Sequence, residues 1–162
     1  MKSFSNLLNK ISTFFEYLAS IFLGLMIIIV SFQVFTRFFF SFTLRWSEEI
    51  TMLLMVWFGF IGIALGVKND IHLSIEAIVN LFSKNTKKII YKIDELITLI
   101  FGIFTAFYGF RLVVEAKGST LPATQWPSSM LYLMVPLSGL LIILFSINRL
   151  AGFKAVNEEN QR

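Results

Sequence analysis

The chain predicts an all-α integral membrane protein with four transmembrane helices, and three observations carry that prediction. Four stretches, 17–36, 50–67, 96–110 and 130–148, contain no Asp, Glu, Lys, Arg or His, and each is followed at once by a cation: Arg37, Lys68, Arg111 and Arg149. Hydrophobic residues make up 56% of the 162 residues against 15% charged, and the mean hydropathy is +0.75. The apolar residues lie in blocks, without the one-face pattern of a surface helix. A soluble chain of this size needs far more polar surface. A hydrocarbon core about 30 Å thick takes roughly 20 residues of helix to cross. Three of the runs span it nearly unaided, and the third does so once its flanks are counted.

Taken in order, the first helix is expected over 14–36. Lys2 and Lys10 ahead of apolar sequence resemble a signal peptide. However, the run is longer than an h-region and ends in Gln33-Val-Phe-Thr-Arg37-Phe-Phe-Phe, with no small-residue cleavage site, so an uncleaved anchor is expected. The second helix is expected over 47–67, with Ser47 as capping hydroxyl and Glu48 and Glu49 at the positive dipole end. A short amphipathic helix in the membrane interface is expected over 71–83. Asp70 is its N-cap, and Ile71, Ile75, Ile78, Val79 and Phe82 share one face. Lys84, Lys87 and Lys88 follow, positioned for lipid head groups. Alternation at Ile71, Leu73 and Ile75 also admits a strand, which an open edge beside lipid disfavours. The third helix is expected over 89–114, with Asp94 and Glu95 as acids near its start. The 117–129 stretch is a turn region whose Trp126 suits a membrane–water interface. The fourth helix is expected over 129–150, with Pro136 placed to kink it.

Lys and Arg set the orientation. Placing both termini and the 68–92 connection on one side collects ten of the 14 cations there: Lys2, Lys10, Lys68, Lys84, Lys87, Lys88, Lys92, Arg149, Lys154 and Arg162. Arg37, Arg45, Arg111 and Lys117 fall opposite. The positive-inside rule therefore predicts both termini in the cytoplasm. The net charge of +4 belongs to the face meeting anionic lipid and does not point to nucleic acid.

Lipid gives helices no hydrophobic reason to associate, so small and polar residues mark packing faces. Gly59, Gly62 and Gly66 share one side of helix two. Asp94, Thr98, Gly102, Thr105 and Gly109 form a stripe along helix three at spacings of 4, 4, 3 and 4. These are helix-packing candidates, within the bundle or against a second membrane protein. Arg37 and Arg45 share a loop with Glu48 and Glu49, which predicts an intramolecular ion pair. Two adjacent acids cannot both face one arginine, however, which leaves pairing of one of them with a partner subunit open as the alternative. Every ionisable residue near membrane depth lies at the end of an apolar run, where snorkelling lowers its cost. No mid-span carboxylate of the kind a self-sufficient transporter uses is present.

No enzyme chemistry is visible. The chain has no Cys, which excludes thiol exchange and Cys-ligated zinc or iron–sulfur sites. His72 is the single histidine and has no second metal-ligand residue at a usual spacing. Phosphate loops, nucleophile elbows and His-Glu-x-x-His are absent, and no cofactor is implied.

Arg37, Trp46-Ser47-Glu48-Glu49-Ile50, Trp57, Gly62, Lys68 and His72 together form a recognisable set. In that set, and in its length and four spans, the chain resembles the small membrane subunit of tripartite ATP-independent periplasmic (TRAP) transporters, the Q or DctQ type. The likeness in pattern covers roughly 10–150, and its distinctive motif about forty residues. The resemblance implies a bacterial inner-membrane protein with two partners: a large, roughly twelve-span membrane subunit, and a periplasmic binding protein that captures an organic acid. That acid would be a C4-dicarboxylate, a sialic acid or a related carboxylate, taken up with sodium. It implies structural or subunit-contact roles for Arg37, Trp46, Glu48, Glu49 and His72, and a scaffold role for the subunit. A small four-helix multidrug-type exporter is the alternative, needing a carboxylate well inside the first span, where only Glu16 lies at the edge. A non-transporting membrane anchor or assembly factor is a third.

Overall fold

The computed structural model describes residues 2–68 and 84–159, so the expected interfacial helix over 71–83, with Asp70 and His72, lies outside the described residues. The described chain is helical, with α1 (Lys2–Phe40), α2 (Arg45–Lys68), α3 (Lys84–Glu115), a 3-10 turn (Ala116–Gly118), α4 (Ser129–Tyr132) and α5 (Met134–Glu159). Four segments are long and apolar enough to cross a membrane: Asn6–Phe40, Arg45–Lys68, Ile89–Gly118 and Ser129–Leu150.

The last of these segments is broken, and Pro136 explains where. Proline has no N–H, and its ring crowds the carbonyl four residues earlier. That carbonyl belongs to Tyr132, where α4 stops; Leu133 keeps helical angles and bonds back to Met130 at 3.4 Å. Proline thus sits in the first turn of α5, where its missing donor costs least.

Helix α1 is 39 residues long, about 58 Å at 1.5 Å per residue, and so outruns a bilayer. Its covered positions explain its course: Leu8, Ser12, Phe15, Ala19, Phe22, Met26, Ile29, Gln33 and Thr36 are buried or half-buried at alternating spacings of four and three, with Ile11, Leu18 and Gly24 half-buried beside that line. That is the 3.5-residue period of a helix wound along a single partner. The partner is α2. Ala19 packs with Ile61 and Leu65, and Phe22 meets the Trp57 ring at a centroid distance of 5.6 Å.

Helix α5 lies at the centre. Of its span 44% is buried, against 6% for α1. On one side Leu141, Ile142 and Phe145 meet Ala64 of α2 and, at the end carrying the chain termini, Leu8 of α1. On the other side α5 takes α3. The molecule is therefore an open row, α1–α2–α5–α3, with α1 and α3 at its edges. Close approach makes the α3–α5 seam: a Cβ on Gly139 would strike the Ala106 backbone, one on Gly109 would come within 2.8 Å of Pro136 N, and one on Gly102 within 2.9 Å of Ile142 Cγ2.

Candidate functional site

Polar side chains gather at two levels, one at each end of the row. At the terminus-bearing end, Lys68 Nζ donates to Ser12 Oγ at 2.6 Å and stands 4.0 Å from Glu16 Oε1, which also accepts from Ser12 at 3.0 Å. Arg149 Nε meets Glu95 Oε2 at 3.1 Å, and its Nη1 donates to the Val67 carbonyl at 3.2 Å. The last carbonyls of α2 thus receive a cation from α5, a favourable place for positive charge. This end ties α1 to α2, and α5 to both α2 and α3.

At the opposite end, the loop face, Glu48 and Glu49 diverge by one helical step. Glu48 Oε1 accepts from Gln33 Nε2 of α1 at 3.2 Å. Glu49 turns to the 116–128 loop and accepts from the Ala123 N–H at 2.6 Å, the Thr124 N–H at 2.8 Å and the Thr124 hydroxyl at 2.7 Å. The loop is shaped to present those donors. Leu121 N–H bonds to the Trp126 carbonyl at 2.8 Å, Thr120 bridges Pro127, and Gln125 takes φ 58°. One turn region is thereby clasped to the start of α2. Below it, Trp57 Nε1 donates to the Met130 carbonyl at 3.0 Å, beside the longer 3.4 Å bond from Leu133 N–H at the α4 break.

The two levels are one membrane apart. Ser12 and Gln33 lie 21 residues apart on α1, and Glu48 and Lys68 lie 20 apart on α2. Both separations are close to 30 Å at helical rise, the thickness of a hydrocarbon core. Among the described residues, apolar packing joins α1 to α2 between these polar clasps.

Three expectations from sequence are corrected. Among the described residues no ion pair joins Arg37 or Arg45 to Glu48 or Glu49, because Gln33 takes one acid and the outer loop takes the other. Ser47 is not the cap of α2: the helix starts two residues earlier, and the buried Ser47 hydroxyl donates to the Leu44 carbonyl at 2.6 Å. Asp94 and Glu95 do not start α3, which begins ten residues before Asp94 and continues through them; Glu95 is 3% exposed and paired with Arg149.

The remaining candidates are placed as follows. Arg37 is exposed near the end of α1, and Trp46 is 42% exposed on the loop face. Gly59 and Gly62 are exposed, Gly66 is half-buried, and none of the three has an atom that would touch an added Cβ. Gly102 and Gly109 line the α3–α5 seam, with Asp94, Thr98 and Thr105 half-buried beside it. Lys84, Lys87 and Lys88 belong to the opening turns of α3. The sequence reading missed Gly139 and Ala106, the other side of that seam, although a lone glycine in an apolar helix was the available signal. It also missed Thr124, whose hydroxyl and N–H both serve Glu49.

Residues 26–153 match the family model of the tripartite ATP-independent periplasmic transporters, DctQ component. The chain belongs to the DctQ family. It is 31% identical over 135 residues to a putative TRAP transporter small permease protein of Haemophilus influenzae, a match covering 82% of each chain. A 25% identical match covers 71% of this chain and 52% of the C4-dicarboxylate TRAP transporter small permease protein DctQ of Rhodobacter capsulatus. A third, 28% identical, covers 52% of this chain but only 14% of the sialic acid TRAP transporter permease protein SiaT of Haemophilus influenzae strain 86-028NP. A DctQ chain is a small TRAP transporter permease subunit, a transporter component and not an enzyme. Membership also decides against the exporter reading, whose carboxylate would have been Glu16. In this DctQ chain Glu16 lies at the terminus-bearing level beside Lys68.

Proposed function

We propose that this DctQ subunit is a fixed membrane scaffold for a large transport subunit that takes up an organic acid with sodium. A periplasmic binding protein delivers the acid, which is a C4-dicarboxylate, a sialic acid or a related carboxylate. Both termini face the cytoplasm, and the loop face, with Trp46 and the Glu49-clasped loop, lies on the periplasmic side. The observation that carries this reading is the open row itself. Each polar clasp is committed to holding helices together at a membrane boundary, while the Gly59–Gly62 side of α2 lies open. Such a chain has packing surface to offer and no charge in mid-span to move an ion. The match to a 14% portion of the SiaT permease supports the same reading, since it places DctQ-like sequence within one much longer permease chain.

Glu48 is the acid left for a partner, because Glu49 is occupied by the loop and Glu48 is exposed with one 3.2 Å contact. Co-expression with the large subunit and affinity purification tests this. Glu48→Ala should lower the yield of the complex, whereas unchanged yield and unchanged sodium-driven uptake in proteoliposomes would sink the role of Glu48. Failure of the wild-type chain to retain the large subunit would sink the scaffold reading as a whole.

A further inference from the structure

A groove runs between α2 and α3 on the loop-face half of the molecule, floored by Val135 of α5 and walled by Phe60, Thr105 and Leu112. Its volume is about 530 Å³, within the range of sites that hold small molecules. The walls are apolar, and charge enters only at the top, as Arg111 and then Glu115. Arg111 directly follows the charge-free run 96–110, so it stands at the boundary of the hydrocarbon, and Glu115 lies one helical turn farther out. Arg111 Nε contacts Glu115 Oε1 at 3.2 Å, yet the two side chains are 67% and 65% exposed. An ion pair so open is worth little and exchanges readily for other partners.

We infer that this groove binds one zwitterionic aminophospholipid, with an acyl chain along Phe60, Thr105 and Val135, the phosphate on Arg111 and the primary amine on Glu115. The order of charges selects the ligand. In an aminophospholipid the phosphate lies nearer the acyl chains and the ammonium lies outward, which matches cation deep and anion shallow on α3. An anionic phosphoglycerol head group would set negative charge against Glu115, and a quaternary choline offers that carboxylate no N–H donor. The groove extends from Thr105 to Glu115, about 15 Å at helical rise, or half a membrane. That length, closed by charge at one end, suits a lipid of one leaflet better than a helix crossing both.

The full-length chain in mild detergent would be given equal amounts of phosphatidylethanolamine, phosphatidylglycerol and phosphatidylcholine with identical acyl chains. Bound lipid would then be read by native mass spectrometry. Phosphatidylethanolamine should be retained preferentially. Arg111→Gln should reduce its occupancy about fivefold, and Glu115→Gln should shift the preference towards phosphatidylglycerol. Lys117→Gln, a charge change on the same face but outside the groove, should leave both unchanged. Circular dichroism should report the same helicity for all variants. Equal retention of the three lipids by the wild-type chain, or indifference to both Arg111→Gln and Glu115→Gln, would overturn the inference. So would a crosslink from Thr105→Cys to the large subunit together with loss of the lipid on complex formation, which would give the groove to a protein.

Discussion

The α3–α5 seam allows a quantitative test through substitution of Gly139 by alanine. An added Cβ would stand 2.8 Å from Ala106 Cα and 3.0 Å from Ala106 Cβ. Carbon atoms pack at about 3.5–4.0 Å, so the two helices must part by nearly 1 Å where they cross. Facing atom pairs then forfeit a quarter to a half of their attraction. Overpacking of this kind costs about 1–3 kcal/mol. Alanine regains about 0.8–1 kcal/mol over glycine through helix propensity, which leaves a net loss of up to about 2 kcal/mol. Gly62 is the control, because nothing lies within 4 Å of a Cβ placed there. Only propensity acts at that position, so Gly62→Ala should be neutral or stabilising by up to about 1 kcal/mol. Gly102→Ala should fall between the two, since the nearest atom is the movable Ile142 Cγ2. Unfolding of the full chain by SDS titration in mixed micelles, followed by circular dichroism, reads all three. A Gly139→Ala chain that gained as much stability as Gly62→Ala would refute the close-packed seam, and so would a Gly62→Ala chain as damaged as Gly139→Ala.

Three further outcomes follow from the loop face and α2. Glu49→Gln removes the carboxylate that holds the N–H groups of Ala123 and Thr124, so a single cysteine at position 123 should react with maleimide several-fold faster in that background; the natural chain has no Cys to interfere. Trp57→Phe keeps a ring against Phe22 but loses the bond to the Met130 carbonyl, and should cost about 0.5–1.5 kcal/mol in the same SDS titration. Gly62→Leu should leave the isolated chain as helical and as stable as wild type, while lowering co-purification of the large subunit if the open side of α2 is the contact. Equal yield would place the contact elsewhere.

Much of the fold was legible because a membrane simplifies the problem: a run free of charge and long enough must cross, and a proline must interrupt the helical ladder near its own position. The ends of the helices were less legible. The first helix was expected to begin near residue 14, yet α1 runs from Lys2, because Ser12 and Glu16 are held by Lys68 from 56 and 52 positions away. The split between Glu48 and Glu49 follows from their 100° separation on a helix. Their actual partners do not, because Gln33 and Thr124 are selected by packing and not by spacing. Glycine stripes are the clearest case of ambiguity. Gly59, Gly62 and Gly66 look no different in sequence from Gly102 and Gly109. What separates them is Gly139 and Ala106, which let α5 come close to α3, whereas among the described residues no helix offers such a surface to that side of α2.

Why an open row should be stable in lipid follows from where its polar contacts lie. Apolar packing between helices gains little when lipid tails are the alternative, so α1 would be held weakly by Phe15, Ala19 and Phe22 alone. The bonds at Ser12 and Gln33, one membrane thickness apart, fix its register at both boundaries, where a slip of one residue would break both at once. The middle of α1 is left free of any specific polar demand. Its outward side from Ile21 to Phe35 is exposed and wholly apolar or hydroxyl-bearing, and it ends in the aromatic group Phe35, Phe38, Phe39 and Phe40 around Arg37. Aromatic rings and a long cation at that level suit a membrane boundary. The α1 edge is thus built to face lipid. The α3 edge carries the Arg111–Glu115 groove near its loop-face end, and the glycine side of α2 is smooth, uncharged and uncovered. On the scaffold reading proposed above, α2 is therefore the surface in the row expected to take a protein helix, and Gly62→Leu is its test.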